Sequence, residues 1–261
     1  MKILFIGDVV SSAGCDFVRR VLPDYKKKNA IDFCIVNGEN SAKGNGITRQ
    51  SAWHLLDSGA DMLTTGNHVF KRQEFSEELE RGILPVVRPA NMHPSAPGTG
   101  VYVLQRGAMR LGVANILGNV YMTGTYSNSL DCADETAAYF KKEGINNVLV
   151  DFHAEATSEK RAAGFLLDGR VSAVIGTHTH VQTADEQILP KGTAYITDAG
   201  MTGVINSVLG VKTENATYLM RTGLPVRFEN PDGACSMCGV VVTTDSNTGK
   251  AVSIERICIT L

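Results

Sequence analysis

Seven side chains of metal-binding type fall at the ends of short apolar runs, and one further histidine sits beside them. Asp8 follows KILFIG, Glu39-Asn40 close DFCIVNG, Asn67-His68 close DMLTTG, His153 closes NNVLVDF, and His178-Thr-His180 close SAVIGT. Imidazole nitrogens combined with carboxylate and amide oxygens, and no thiolate, suit Mn²⁺, Fe or Zn²⁺ rather than a structural thiolate-zinc site. The set is larger than one ion needs. With one carboxylate bridging, two ions roughly 3.5–4 Å apart could clamp a phosphoryl group, lower the pKa of a water between them and promote in-line attack. The leaving oxygen then needs a proton, and His68, adjacent to Asn67 and itself spare, is placed to donate it.

Taken singly, most of these residues have local explanations. Asp8 could cap the helix that follows, Asp198 after Tyr195-Ile-Thr has an equally local reading, and Glu39-Asn40 could form a turn. His153 alone could be a half-buried histidine bonded to Asp151 or Glu155. His178-Thr-His180 is harder to explain away. Residues i and i+2 of a strand share a face, and burying two imidazoles there for packing alone is costly. The other two histidines, His54 beside Trp53 and Leu55 on a helix and His93 in a loop, read as structural or exposed.

Positioning these groups requires strands. The runs KILFIGD, DFCIVNGEN, DMLTTGNH, ILPVVRPAN, NNVLVDFH, SAVIGTHTH and TAYITDAG have the continuous apolar character of strands buried on both faces. Between the first two, Phe17, Val18, Val21, Leu22 and Tyr25 keep helical spacing, and Lys26, Lys27 and Lys28 complement the helix C-terminus. Further helices are predicted over 48–59, with Thr48 as cap, and over 72–81, 133–143 and 158–168. Strand and helix alternating in this way specify an α/β layered fold. In an open α/β sheet the carboxyl ends of the strands form the ligand-binding edge, so the candidate residues converge there. VYVLQRGAMRLGVANIL and GVVVTTDSNTGKAVSIERICI read instead as antiparallel hairpins, which makes the sheets mixed. The polar stretch 118–130, with Tyr121 and Tyr126, has the length of a substrate wall, a lid or a subunit contact. No repeat or long linker divides the chain, so one domain over 1–261 is expected.

Composition narrows the partners. Of 261 residues 43% are apolar, and 25 Lys and Arg against 27 Asp and Glu leave a net charge of -2. That balance offers no general attraction for long nucleic acid and leaves a small ligand open. Gly7 and Asp8 interrupt the first apolar run before a signal-peptide core is complete, and no stretch reaches the length of a membrane span. Six cysteines are scattered through the chain. Cys235-Ser-Met-Cys238 lacks two further zinc ligands nearby and leads into a strand rather than a helix, so structural thiols are the expected reading. A cytoplasmic protein is expected.

In order and spacing these motifs resemble the calcineurin-like metallophosphoesterases, whose signature is GDxH, GDxxx, GNHE, an isolated His and GHxH. Here the counterparts are Gly7-Asp8-Val9-Val10, Gly38-Glu39-Asn40, Gly66-Asn67-His68, Asp151-Phe-His153 and Gly176-Thr-His178-Thr-His180. Val10 replaces the first histidine, and Glu39 stands where the bridging Asp is usual. Both departures are similar to the bacterial YmdB-like branch, as are IGDVVSSAG, NGENSAKGNGIT, TTGNHVF, RPANM, DFHAEATSEK, GTHTHVQTADEQILPKGTAYITDAGMTG and TGLPVRFE. Phe70-Lys71, where Trp-Asp is commoner, and the stretch 118–130 depart from that branch without touching a ligand.

The resemblance implies a layered αββα sandwich of mixed sheets. It further implies Glu39 as the bridge, Asp8, Asn40 and His180 on one ion, Asn67, His153 and His178 on the other, and His68 as general acid. Two divalent or transition metal ions are implied, iron first with Mn or Zn as alternatives, and 2',3'-cyclic nucleotides as the leading small phosphodiester substrate. A phosphomonoesterase or nuclease using the same ions, and a nucleotide-sensing regulator with weak turnover, are the alternatives. Assembly as a homo-oligomer is left open.

Overall fold

The computed structural model describes residues 1–261, and its elements form two mixed sheets with helices outside both. The first sheet contains β1 (Lys2–Ile6), β2 (Asp8–Val9), β3 (Phe33–Asn37), β4 (Met62–Thr64), β11 (Met201–Val204), β12 (Cys235–Thr244) and β13 (Ala251–Thr260). Its order is β2-β11-β12-β1-β3-β4, with β13 also pairing β12. The second contains β5 (Val101–Arg106), β6 (Met109–Leu117), β7 (Val148–His153), β8 (Ala173–Thr177), β9 (Gln187–Ile188) and β10 (Ala194–Ile196), in the order β5-β6-β7-β8-β10-β9. The strands β1, β3 and β4 are mutually parallel, as are β6, β7, β8 and β10. Both predicted hairpins are present, as β5-β6 and β12-β13.

The crossovers are helical: α1 (Ser11–Lys28), α2 (Arg49–Asp57), α4 (Ser129–Lys142) and α5 (Thr157–Leu167), with the short α3 (Phe75–Arg81) after β4 and α6 (Thr213–Thr222) near the end. Thr48 caps α2 by accepting from Ser51 N at 3.2 Å in a capping box. Strand parity assigns the cores. Ile3, Phe5, Phe33 and Ile35 point inward against Val113, Leu149, Ile175 and Ile196 of the other sheet. The alternate residues Leu4, Ile6, Cys34 and Val36 face α1 and α2, while Val148, Val150 and Phe152 face α4 and α5. Buried continuous runs therefore serve two apolar layers at once, giving the αββα sandwich.

Some boundaries differ from those expected. The run 83–91 is not a strand. Leu63 N donates to Pro85 O and Val87 N to Leu63 O, but pairing is confined to one bridge at Val86, because Pro85 and Pro89 have no N–H with which to extend a ladder. Helix α3 starts at Phe75 rather than 72, and α4 at Ser129 rather than 133, capped by Asn128, whose Oδ1 accepts from Leu130 N and Asp131 N. Cys235 and Cys238 are three apart on β12, hence on opposite faces, and Cys238 Sγ lies 3.2 Å from Cys258 Sγ across the hairpin. All six thiols are free. No helix is long and apolar enough to cross a membrane.

Candidate metal centre

The carboxyl ends of β1, β3 and β4 in one sheet and of β7 and β8 in the other meet at one edge of the sandwich, and the eight candidate residues meet there too. Asp8 begins β2, directly beyond β1. Glu39 and Asn40 follow β3, Asn67 and His68 follow β4, His153 is the last residue of β7, and His178 and His180 lie just beyond β8. Close approach at this edge requires a residue without a side chain: a Cβ on Gly66 would stand 2.2 Å from Glu39 Oε2 and 2.5 Å from His153 Nε2.

Two clusters share Glu39. In the first, His153 Nε2 lies 3.2 Å from Glu39 Oε1, 3.1 Å from Asn67 Oδ1 and 3.1 Å from His178 Nδ1. Glu39, His153 and His178 could together hold an ion. In the second, His180 Nε2 lies 3.6 Å from Asp8 Oδ1 and 3.4 Å from Asn40 Nδ2, which in turn donates to Glu39 Oε1 at 3.0 Å. His68 stands over both, with Nδ1 3.1 Å from Asn40 Oδ1 and 3.5 Å from Glu39 Oε1, while its backbone N–H donates to Glu39 Oε2. Glu39, Asn40, His68, His178 and His180 line a cavity of about 250 Å³ above the buried Asp8 and His153.

The expectation that His178 and His180 share one face of a strand is not met. Strand β8 stops at Thr177, and both histidines adopt left-handed backbone, with φ of 96° and 65°. Such conformations cost about 1–3 kcal/mol each and persist where surrounding structure enforces them. The result is that the two rings serve different clusters rather than one.

The far side of each imidazole is engaged by the protein. His178 Nε2 is 3.2 Å from Glu155 Oε2, and His180 Nδ1 is 3.2 Å from the Leu209 carbonyl. Each acceptor requires an N–H, which leaves His178 Nδ1 and His180 Nε2 as the lone-pair nitrogens of the neutral rings. For His153 the partner is Thr177 Oγ1 at 2.8 Å. Thr177 donates its only proton to Asp151 Oδ1 at 2.6 Å, so it must accept from His153 Nδ1–H, which leaves Nε2 as the nitrogen turned toward Glu39, Asn67 and His178. Asp151 is itself held by Asn37 Nδ2 at 2.9 Å and by Thr64 Oγ1. Expected partners of His153 are thus reassigned: Asp151 acts through Thr177, and Glu155 belongs to His178.

The electrostatics suit cations. Asp8 and Glu39 are essentially inaccessible, and their ion-pair partners are imidazoles. Asp8 Oδ1 is buried without a hydrogen-bond donor. Burial opposes ionisation of Glu39, but His153 and His68 together outweigh it and hold the carboxyl well below its usual range; burial likewise opposes ionisation of Asp8, and His180, aided by His153, lowers it. Burial would depress His153, yet Glu39 pushes it up to about 9, whereas burial and the facing His153 push His178 down to about 4. Burial raises Asp151 to about 6. Two buried carboxylates, three nitrogens aimed inward and an orphaned carboxylate oxygen form a donor set that fits divalent ions.

Sequence reasoning missed the supports. Lys160 and Asp198 form a buried ion pair of 2.9 Å. Asp198 Oδ2 also accepts from Thr179 N at 3.1 Å and Thr179 Oγ1 at 2.8 Å, between the two site histidines. A lysine on the inward face of a predicted helix and an aspartate inside an apolar strand, as in VLVDFH, were the available signals. Residues 118–130 contribute nothing to the cavity lining. The carboxylate of Glu159 pins this stretch instead, by accepting from Asn119 N, Val120 N and Ser129 Oγ.

The family model described as YmdB-like protein matches residues 4–257. A 2',3'-cyclic-nucleotide 2'-phosphodiesterase of Bacillus subtilis (strain 168) is 46% identical over 259 residues, covering 99% of this chain and 97% of that protein. A crystal structure of a hypothetical protein from Thermus thermophilus superposes with a TM-score of 0.93 at 38% identity, over 100% of this chain and 99% of the other. That of a novel phosphatase from Mycoplasma pneumoniae gives 0.92 at 34% identity, over 100% and 93%.

Proposed function

The chain belongs to the YmdB-like family, and from that premise we propose that it is a two-ion phosphodiesterase opening 2',3'-cyclic nucleotides. The observation that carries this reading is the position of Glu39, whose carboxylate lies between the cluster of Asn67, His153 and His178 and the cluster of Asp8, Asn40 and His180. In this reading the two clusters would each hold an ion, with Glu39 shared between them. Iron is the first choice, with Mn or Zn as alternatives, since imidazole and carboxylate ligation accepts all three. When bound, the ions would supply positive charge against the phosphoryl oxygens and acidify a water.

The chain's own contribution is proton delivery and exclusion of solvent from the charged groups. His68 is partly exposed at the cavity, and its Nδ1 faces Asn40 Oδ1, so a protonated ring is held through Nδ1–H and presents Nε2–H outward. As water oxygen bonds to phosphorus, the P–O2' bond breaks and O2' takes the His68 proton, while the proton shed by the water passes to solvent, from which His68 is recharged, leaving a 3'-phosphomonoester. Scission on the 2' side follows the activity for which the B. subtilis relative is named. Six free thiols and a compact apolar core favour a cytoplasmic setting.

The test is to load the protein with Mn²⁺ or Fe²⁺ and supply 2',3'-cyclic AMP. Release of 3'-AMP above a metal-free control supports the proposal. Binding without product would replace it with a nucleotide-sensing role, and turnover of monoesters alone would make the protein a phosphatase.

A further inference from the structure

We propose that the substrate extends beyond one nucleotide: the site takes the 3' end of an RNA chain that terminates in a 2',3'-cyclic phosphate, with the preceding nucleotide lying in a cationic groove beside the metal centre. This inference rests on the cyclic-phosphate reading of the site and adds the identity of what is attached to it.

The cavity over the metal residues, at about 250 Å³, falls below the roughly 300–1,000 Å³ usual for small-molecule sites. A groove of about 820 Å³ adjoins it, and Gly44, Asn45, Phe228, Glu229 and Asn230 line both. The groove carries Lys43, Lys71, Arg72, Lys212 and Arg227 against Glu229 and Asp232. Lys212 is paired with Glu229 at 2.7 Å, while no carboxylate pairs with Lys43, Lys71, Arg72 or Arg227. The groove is therefore positive although the chain's net charge is -2. A neutral or singly charged ligand does not need such a surface; a second phosphate does.

The groove is also built rather than incidental. Arg72 Nε donates to Asn45 O at 3.2 Å, and its guanidinium also reaches Lys43 O, which fixes the turn that carries Lys43. Asn230 ties the two walls, accepting from Gly44 N at 3.1 Å and donating to Gly210 O at 2.9 Å. At the junction of the two cavities Phe228 is 46% exposed. An exposed aromatic ring flanked by cations is the arrangement that binds single-stranded nucleic acid, by stacking a base while neutralising the backbone. RNA cleaved by its own 2'-hydroxyl ends in a 2',3'-cyclic phosphate, so that class of cleavage would supply the substrate.

The experiment compares kcat/KM of the Mn²⁺-loaded protein for 2',3'-cyclic AMP with that for the adenosine dinucleotide and trinucleotide bearing the same terminal ring, at several salt concentrations. The longer substrates are expected to be about tenfold better at low salt, with the advantage fading as salt rises. In Lys43→Ala/Arg227→Ala and in Phe228→Ala the ratio of long to short substrate is expected to fall toward one, each variant acting as its own folding control. Independently of turnover, metal-free protein is expected to bind a 5'-fluorescein trinucleotide ending in a 3'-phosphate. The slope of log affinity against log salt should shrink by about 0.7 for each lost phosphate contact in the double Ala variant. Equal kcat/KM at all lengths, or a salt slope unmoved by the substitutions, overturns the groove and leaves cyclic-nucleotide hydrolysis standing. Failure to open any of the cyclic phosphates overturns both.

Discussion

Lys160 Nζ lies 2.9 Å from Asp198 Oδ2 in a site closed to solvent, and the same oxygen receives Thr179 N–H and Oγ1–H. The ion pair thereby anchors the residue between His178 and His180, both held in left-handed backbone. Removing one member leaves an uncompensated buried charge. Lys160→Met is expected to lower stability by about 3–5 kcal/mol, measured by urea unfolding of the metal-free protein. A change under about 1 kcal/mol would mean that the pair is not what holds this loop.

His68→Ala is expected to retain both ions by elemental analysis while kcat drops about 10²–10⁴-fold, most with poor leaving groups. Diesters with acidic alcohols should be spared, since their leaving oxygen needs no proton. Loss of metal from this variant would make His68 a ligand and sink its role as acid.

Glu39→Ala removes the carboxylate common to both clusters. The expected outcome is fewer than two ions per chain and loss of phosphodiesterase activity. Two tightly held ions in the purified variant would count against a bridge.

Thr177→Val keeps shape and deletes the hydroxyl that connects His153 Nδ1 to Asp151. Since outer partners orient the ligand ring, metal affinity should weaken by about 10–100-fold with the fold intact by circular dichroism. Thr177→Ser should restore most of it. Equal losses in both variants would show that the methyl group, not the hydroxyl, matters.

Two buried thiols predict alkaline behaviour. Burial pushes Cys15 up to about 12, with Asp16 adding to it, and raises Cys34 further, partly opposed by Lys26 and aided by Asp61. In the unfolded chain these thiols ionise near their ordinary value of 9.0. The folded state then holds protons that the unfolded state has released, so their contribution is complete below about pH 9 and is lost as pH rises toward 12. Melting temperature should fall from pH 9 to 11, and Cys15→Ala/Cys34→Ala should flatten that limb. A parallel fall in both proteins would assign it to other groups.

The candidate residues were legible because strand ends are marked in sequence by an abrupt change from apolar to polar, and parallel strands bring such ends together. Less legible was anything without a periodic apolar signature. Helix α6 buries only Ala216, so no stripe marked it, and with it the segment carrying Lys212 and Phe228 went unassigned. The run ILPVVRPAN misled because its composition suits a strand while its prolines forbid the ladder. For His178 and His180, spacing implied one shared face, whereas left-handed backbone beyond β8 directs them to separate clusters. Lys160 and Asp198 are far apart in sequence, and only the packing of α5 against the sheet brings them together.

Glu39 and Asn67 come from the first sheet and His153 and His178 from the second, just as Asp8 and His180 come from opposite sheets. The centre is therefore a clasp across a seam, and the interior between the layers is part of its alignment. A void opened among Phe33, Val113 and Leu149 would let one layer slide over the other. The misfit would be registered at the clasp before any strand came apart.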